Sequence, residues 1–230
     1  MCGRYTRMYT WAELYALYML TIGRTSSNFQ PRYNICPTTD VDVVTQGDVG
    51  RELRQMRWGL VPSWWSKPLR DLRLATFNAR AETVHEKPFF REPFRSKRCI
   101  IPASGYYEWQ TIGREKQPWY FTERHSPIVS IAGIWDEWTD KETGLMIRSC
   151  AMIITKPSAF VAEVHDRMPV ILAPEQFDGW LSGRLGRESL VPAPEGVLQR
   201  IPVSKRVNSS RADDEDATLI DPVDLSPPLI

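Results

Sequence analysis

The feature that most restricts this chain is a succession of short apolar-rich runs, each long enough for a strand and each closed by turn residues. Residues 41–45 and 53–58 flank Gly47, Asp48 and Gly50, and further runs fall at 99–101, 106–110, 119–122, 128–135 and 148–154. β-branched and aromatic residues in runs of this length predict strands, because a helix needs a 3.6-residue apolar period sustained over ten or more positions. So many strands imply a β-rich core.

Helical signals are fewer. Thr10 and Glu13 have capping-box spacing ahead of Leu14, Leu17, Tyr18 and Leu20, which predicts a helix over 11–20. Shorter helices are expected at 79–84, at 158–164 and from Pro174, where proline suits a first turn. The class is α+β: a single compact β-rich domain over residues 1–222, with a few short helices around a central β core. Residues 182–195 read as an irregular Gly/Pro-rich stretch, 209–217 as polar and acidic, and 223–230 as a C-terminal tail.

The 230 residues, 42% hydrophobic and 25% charged, suffice to bury one core. Nine Trp, eight Tyr and eight Phe exceed the usual need of such a core, so some rings are candidates for a surface that stacks on bases. The net charge of +1 names no partner, but its distribution is uneven: residues 1–115 carry +6 and the remainder −5. Two basic runs, Arg51, Arg54, Arg57 and Arg91, Arg95, Lys97, Arg98, face either phosphate or solvent. Cys2, Cys36, Cys99 and Cys150 are widely spaced without a C-x-x-C pair or a histidine at ligand spacing, so neither a metal nor another cofactor is expected. With no signal-like segment and no apolar stretch of membrane length, the expectation is a cytoplasmic, monomeric protein with reduced thiols and no membrane partner.

The chemistry begins at the second residue. A small side chain after the initiator favours removal of Met1, which would leave Cys2 as a 1,2-aminothiol. Its amine can form a Schiff base with an aldehyde, and its thiol can then close a five-membered thiazolidine. An α-amine with an ordinary pKa of about 7.7–8.0 keeps a usable neutral fraction at neutral pH.

Around this terminus stand Met-Cys-Gly-Arg, Arg32-Tyr33-Asn34-Ile35-Cys36-Pro37, Trp58-Gly59-Leu60-Val61-Pro62 with Trp64-Trp65, Asn78-Ala79-Arg80-Ala81-Glu82-Thr83, Gly105-Tyr106-Tyr107-Glu108-Trp109 and His165-Asp166-Arg167-Met168-Pro169. With these six motifs in order, the chain closely resembles the SOS-response-associated peptidase (SRAP) family of abasic-site processing proteins. The resemblance implies a β-rich fold with a basic groove for single-stranded DNA, covalent capture of abasic sites near stalled replication in the cytoplasm, and a capacity to remove its own first residue.

Carried over residue by residue, the resemblance makes Cys2 the nucleophile, with Asn78 positioning it and the sugar. Glu108 would move protons, and His165 would act as acid or base in opening the sugar ring. Strand alternation sets Tyr106 and Glu108 on one face and Tyr107 and Trp109 on the other. Arg4, Arg80 and Arg167 are candidates for phosphate contact, Asn34 and Pro37 for the groove wall, and Trp64, Trp65 and Trp109 for stacking or wedging beside the lesion. Cys36 occupies a place where a small apolar residue is expected, and the acidic run 213–216 is also unusual. Two readings from other classes stay open: a cysteine peptidase using Cys2, His165 and Asn78, and a module that binds single-stranded DNA without covalent chemistry.

Overall fold

Strands rich in buried residues on both faces must be covered from both sides, and here a second sheet covers one face and short helices the other. The computed structural model describes residues 2–22 and 29–225. In chain order its elements are β1 (Tyr5–Arg7), α1 (Trp11–Tyr18), β2 (Leu20–Ile22), β3 (Arg32–Ile35), β4 (Asp40–Gln46), β5 (Arg51–Trp58), β6 (Asn78–Arg80), α2 (Arg91–Ser96), β7 (Arg98–Ala103), β8 (Gly105–Ile112), β9 (Glu115–Glu123), β10 (Val129–Thr139), β11 (Met146–Thr155), α3 (Ala159–Ala162), β12 (Met168–Pro169), α4 (Phe177–Leu181) and β13 (Leu198–Pro202).

The larger sheet runs β12-β11-β10-β7-β4-β5-β2. A parallel pairing of Ser149 and Cys150 with Arg57 and Trp58 joins β11 to β5 and closes β4, β5, β7, β10 and β11 into a five-stranded barrel. The second sheet runs β13-β9-β8-β1-β3. Side-chain alternation divides the core accordingly. Val41, Val43, Met56, Trp58, Cys99, Ile101, Cys150 and Met152 cluster with Tyr5, Ile35, Tyr106 and Phe121 of the second sheet. The opposite faces, including Val44, Ile100, Ala132 and Ile153, pack on Leu14 and Tyr18 of α1 and on Phe177 and Trp180 of α4. Helices this short are unstable alone, so burial of these rings, worth about 1.5–3 kcal/mol each, holds them in place.

Two glycines are required by geometry. Gly59, at φ +143°, turns the chain out of β5 in a conformation that a side chain strains. A Cβ on Gly105 would lie 2.6 Å from the carbonyl oxygen of Phe121, so the β8–β9 approach excludes any larger residue.

The α+β, β-rich class agrees with the sequence reading, and so do the Thr10–Glu13 capping box, a short helix within 158–164 and the helical turn entered at Pro174. Other elements depart from it, α2 among them, a helix over Arg91–Ser96 where only a basic run was read. The first helix ends at Tyr18, and Leu20 already pairs with Arg51 in β2. Residues 79–84 are not helical: Asn78, Ala79 and Arg80 pair in parallel with Met152, Ile153 and Ile154, and turns follow. Ala79 is fully buried there, so sheet pairing overrides its helix propensity. Strand β13 pairs residues 198–202 with β9 where no strand was expected. Of the expected tail, Val223 donates to the Pro202 carbonyl, and residues 226–230 lie outside the described residues.

Candidate active site

Strand β1 lies between β8 and β3, with Tyr5 opposite both Tyr106 and Ile35. This antiparallel register, extended by the hydrogen bond from Tyr107 N–H to the Arg4 carbonyl, lays the chain start along Glu108. Cys2 is 1% exposed. The Asn78 side-chain amide, carried on β6, donates to the Cys2 carbonyl at 2.9 Å. Its Oδ1 is buried with no hydrogen-bond partner among the described residues, leaving an acceptor beside the cysteine. Met1, and with it the expected removal of that residue, lies outside the described residues.

Glu108 is fully buried in β8 and hydrogen-bonded to the Cys2 thiol. Burial pushes its carboxyl up to about 7. Burial, followed by the nearby Glu108 charge, also raises the Cys2 thiol well above the ordinary range for cysteine. Near neutral pH the thiol therefore keeps its proton while the carboxyl titrates, and the resting site holds no thiolate.

His165 follows α3, its main-chain N–H donating to the Val161 carbonyl. His165 Nδ1 lies 3.0 Å from the Arg167 N–H, which donates to it, and also beside the Arg167 carbonyl at 3.3 Å and Asp166 Oδ1 at 3.2 Å. Nε2 stands 3.6 Å from Glu108 Oε2. Burial lowers the His165 pKa, so the neutral ring is favoured. Cys2, Asn78, Glu108 and His165 thus converge from four separate parts of the chain. The site opens through a shallow depression of about 390 Å³ lined by Glu108, Trp109, Lys116, His165 and Asn208.

The residues expected to meet DNA are placed less uniformly. Arg4 donates to Asn34 Oδ1 and to the Val207 carbonyl, both at 2.9 Å. Asn34 is buried and donates to the Ser209 carbonyl, so these two tie internal structure together. Arg167 pairs with Glu82 at 2.6 Å. Arg80 is exposed, Pro37 is half-buried after β3, and Trp109 donates to Asn208 Oδ1 at the mouth. Trp64 is 51% exposed beside half-buried Trp65.

Most of the two basic runs is absorbed by the fold. Arg51 pairs with Asp178, Arg54 with Glu52, Arg95 with Glu92 and Lys97 with Asp136. Arg57 donates to the Gly59 carbonyl, and Arg98 lies between the rings of Phe94 and Trp180.

Tyr106 was not singled out for the site, yet its hydroxyl is buried, has no hydrogen-bond partner among the described residues, and feels the charges of Cys2 and Glu108. Its alternation with Glu108 was the available signal. Lys116 and Asn208 carry no such signal, since hairpin pairing and a C-terminal turn bring them in. Among the described residues no group of three or more His, Cys, Asp or Glu side chains could hold a metal, all four cysteines are free thiols, and no helix is long and apolar enough to cross a membrane.

Fold and site together define a small barrel-cored α+β protein in which Cys2 is buried against the Glu108 carboxyl, with the His165 imidazole beside that carboxyl. The sequence profile of the SOS response associated peptidase (SRAP) family matches residues 1–210, and the chain belongs to that family. Abasic site processing protein YoaM of Bacillus subtilis is 32% identical over 96% of this chain and 98% of its own length. Abasic site processing protein YedK of Escherichia coli is 29% identical over 97% and 100%. A solved Bacteroides thetaiotaomicron protein superposes with a TM-score of 0.84 at 28% identity, covering 96% of this chain and 100% of that one.

Proposed function

We propose that the protein captures abasic sites in single-stranded DNA as a covalent thiazolidine on Cys2, once Met1 has been removed. The observation that carries this reading is the convergence on Cys2 of the Asn78 amide at 2.9 Å and a buried Glu108 carboxyl with a pKa of about 7. The names of the curated relatives point to the same substrate.

The Cys2 amine attacks C1′ of the open-chain sugar, forming a C–N bond while the carbonyl oxygen takes a proton. Loss of water from this carbinolamine gives an imine. Sγ then adds to the imine carbon, its proton passes to nitrogen, and the adduct weighs one water less than its two components. Glu108, near half-protonated at neutral pH, can give a proton to the departing hydroxyl and take one from the thiol. Neutral His165 suits proton transfer in ring opening, and Asn78 holds the terminus without changing charge. Arg80, Arg167, Trp64, Trp65 and Trp109 form the DNA surface, while Arg4, Asn34 and Pro37 shape its wall. The protein acts as a monomer where replication exposes single strands.

The peptidase alternative is weaker on one specific ground: the thiol is raised in pKa and bonded to a carboxyl, the reverse of the low-pKa thiolate used in acyl transfer. Removal of Met1, by this site or by a separate aminopeptidase, precedes capture. Intact mass under denaturing conditions tests the reading. With a single-stranded oligonucleotide bearing one abasic site, the wild type gains the oligonucleotide mass minus water, and Cys2→Ala gains nothing while still binding DNA reversibly. Full adduct yield in Cys2→Ala would remove Cys2 from the chemistry.

A further inference from the structure

The two neighbouring tryptophans at 64 and 65 stand on a loop that belongs to no helix or strand; β11 holds its start, where the Val61 N–H donates to Ser149 Oγ at 2.8 Å, and β10 pins the backbone on either side of Trp64. Asp136 is 2% exposed. Its Oδ2 accepts the Ser63 N–H at 2.7 Å, while Oδ1 accepts the Lys97 ammonium at 2.7 Å and the Glu137 N–H at 2.9 Å. Two residues along the same strand face, the Trp138 indole N–H donates to the Trp65 carbonyl at 2.6 Å. The Trp65 N–H closes a turn onto the Pro62 carbonyl at 2.9 Å. Between these anchors Trp64 remains 51% exposed, its ring edge-on to Phe89 at 5.1 Å.

A buried carboxylate persists only when fully partnered, and Lys97 already neutralises Asp136. The additional bond to Ser63 therefore fixes the loop. An indole that must receive a base gains affinity when its backbone is ordered beforehand, because binding then meets no ordering cost.

We propose that Asp136 and Trp138 are positioning residues that hold the loop bearing Trp64 and Trp65 as a preformed platform for a nucleobase of single-stranded DNA. This rests on the single-stranded DNA reading given above. The clamp lies on β10, whereas Cys2, Glu108 and His165 lie before β1, in β8 and after α3, so it acts on binding and leaves aldehyde chemistry alone.

Trp138→Phe keeps an aromatic ring but loses the donor to Trp65 together with part of the buried indole's volume, while Asp136→Asn removes the charge. Three readouts decide the matter: anisotropy Kd for an undamaged single-stranded oligonucleotide, hydrogen exchange at the Ser63 and Trp65 amides, and the mass-detected rate of Cys2 capture of 2-deoxyribose 5-phosphate. Both variants are expected to speed amide exchange and to weaken DNA binding about tenfold, as Trp64→Ala does. Small-sugar capture is expected to stay at the wild-type rate. In a Trp64→Ala background, Trp138→Phe is expected to add no further loss. Wild-type affinity in Trp138→Phe and Asp136→Asn, with Trp64→Ala weakened, would overturn the clamp. If Trp64→Ala itself binds like the wild type, the stacking reading fails and the clamp's role falls with it. Should Asp136→Asn not fold, Trp138→Phe alone decides.

Discussion

At the scale of single residues, Glu108 links stability and chemistry in opposite directions. Its carboxyl, ordinarily titrating near 4.5, is raised to about 7 by burial, so the folded chain holds a proton that the unfolded chain loses between those values. Where the folded state binds more protons, stability falls as pH rises. The destabilisation is absent below the ordinary pKa, grows through the window and is complete above about 7. Glu108→Gln removes the titration. It is expected to raise stability at pH 8 by about 1–3 kcal/mol, with little gain at pH 4, as read from urea midpoints at both pH values. The same substitution should slow abasic-site capture and abolish the inflection near pH 7 in its rate, leaving that of the α-amine. An unchanged pH–rate profile would show that Glu108 moves no proton.

At the scale of elements, the end of α1 shows strand pairing overriding a helical pattern. Leu20 continues the apolar period of the helix, but its backbone is claimed by Arg51, so the chain must reverse within one residue. Met19 does this at φ 50° and ψ 53°, a left-handed conformation that glycine takes far more readily, and its side chain is 72% exposed. Met19→Gly therefore sacrifices almost no packing. It is expected to stabilise the protein by about 0.5–1 kcal/mol, seen as a higher urea midpoint at unchanged slope. Strand β6 shows the same override: a stretch with good helix formers becomes strand because its register along β11 delivers Asn78 to Cys2.

At the scale of the whole molecule, the C-terminal stretch beyond β13 completes the neighbourhood of the chain start. Arg4 reaches the Val207 carbonyl across 203 residues of sequence, Asp214 pairs with Arg32, and Asn208 lines the mouth of the site. The acidic run is thus partly neutralised within the fold, with Asp216 pairing with Arg206. Val207 anchors the stretch, fully buried among Tyr107, Tyr120 and Val203. Val207→Ala is expected to cost about 2 kcal/mol in urea unfolding. Because it loosens the wall behind Arg4, it should also slow capture of the abasic site. A variant as stable as the wild type would show that the stretch rests on the fold without supporting it.

Local patterns settled much of this protein. Alternating short runs determined a β-rich α+β fold, Thr10 and Glu13 placed the first helix, and the Tyr106–Trp109 alternation set Glu108 on the face it shares with Tyr106. These features were legible because each depends on residues only a few positions apart. Barrel closure through the parallel β5–β11 pairing, the conversion of 78–80 to strand and the addition of β13 were decided by tertiary structure. Non-local pairing energies compete with propensities there, and no short stretch of sequence records which partner wins. The same holds for the basic residues. A run such as Arg91 to Arg98 reads as a charged face until the fold provides Glu92, Asp136 and two aromatic rings to absorb three of its four charges.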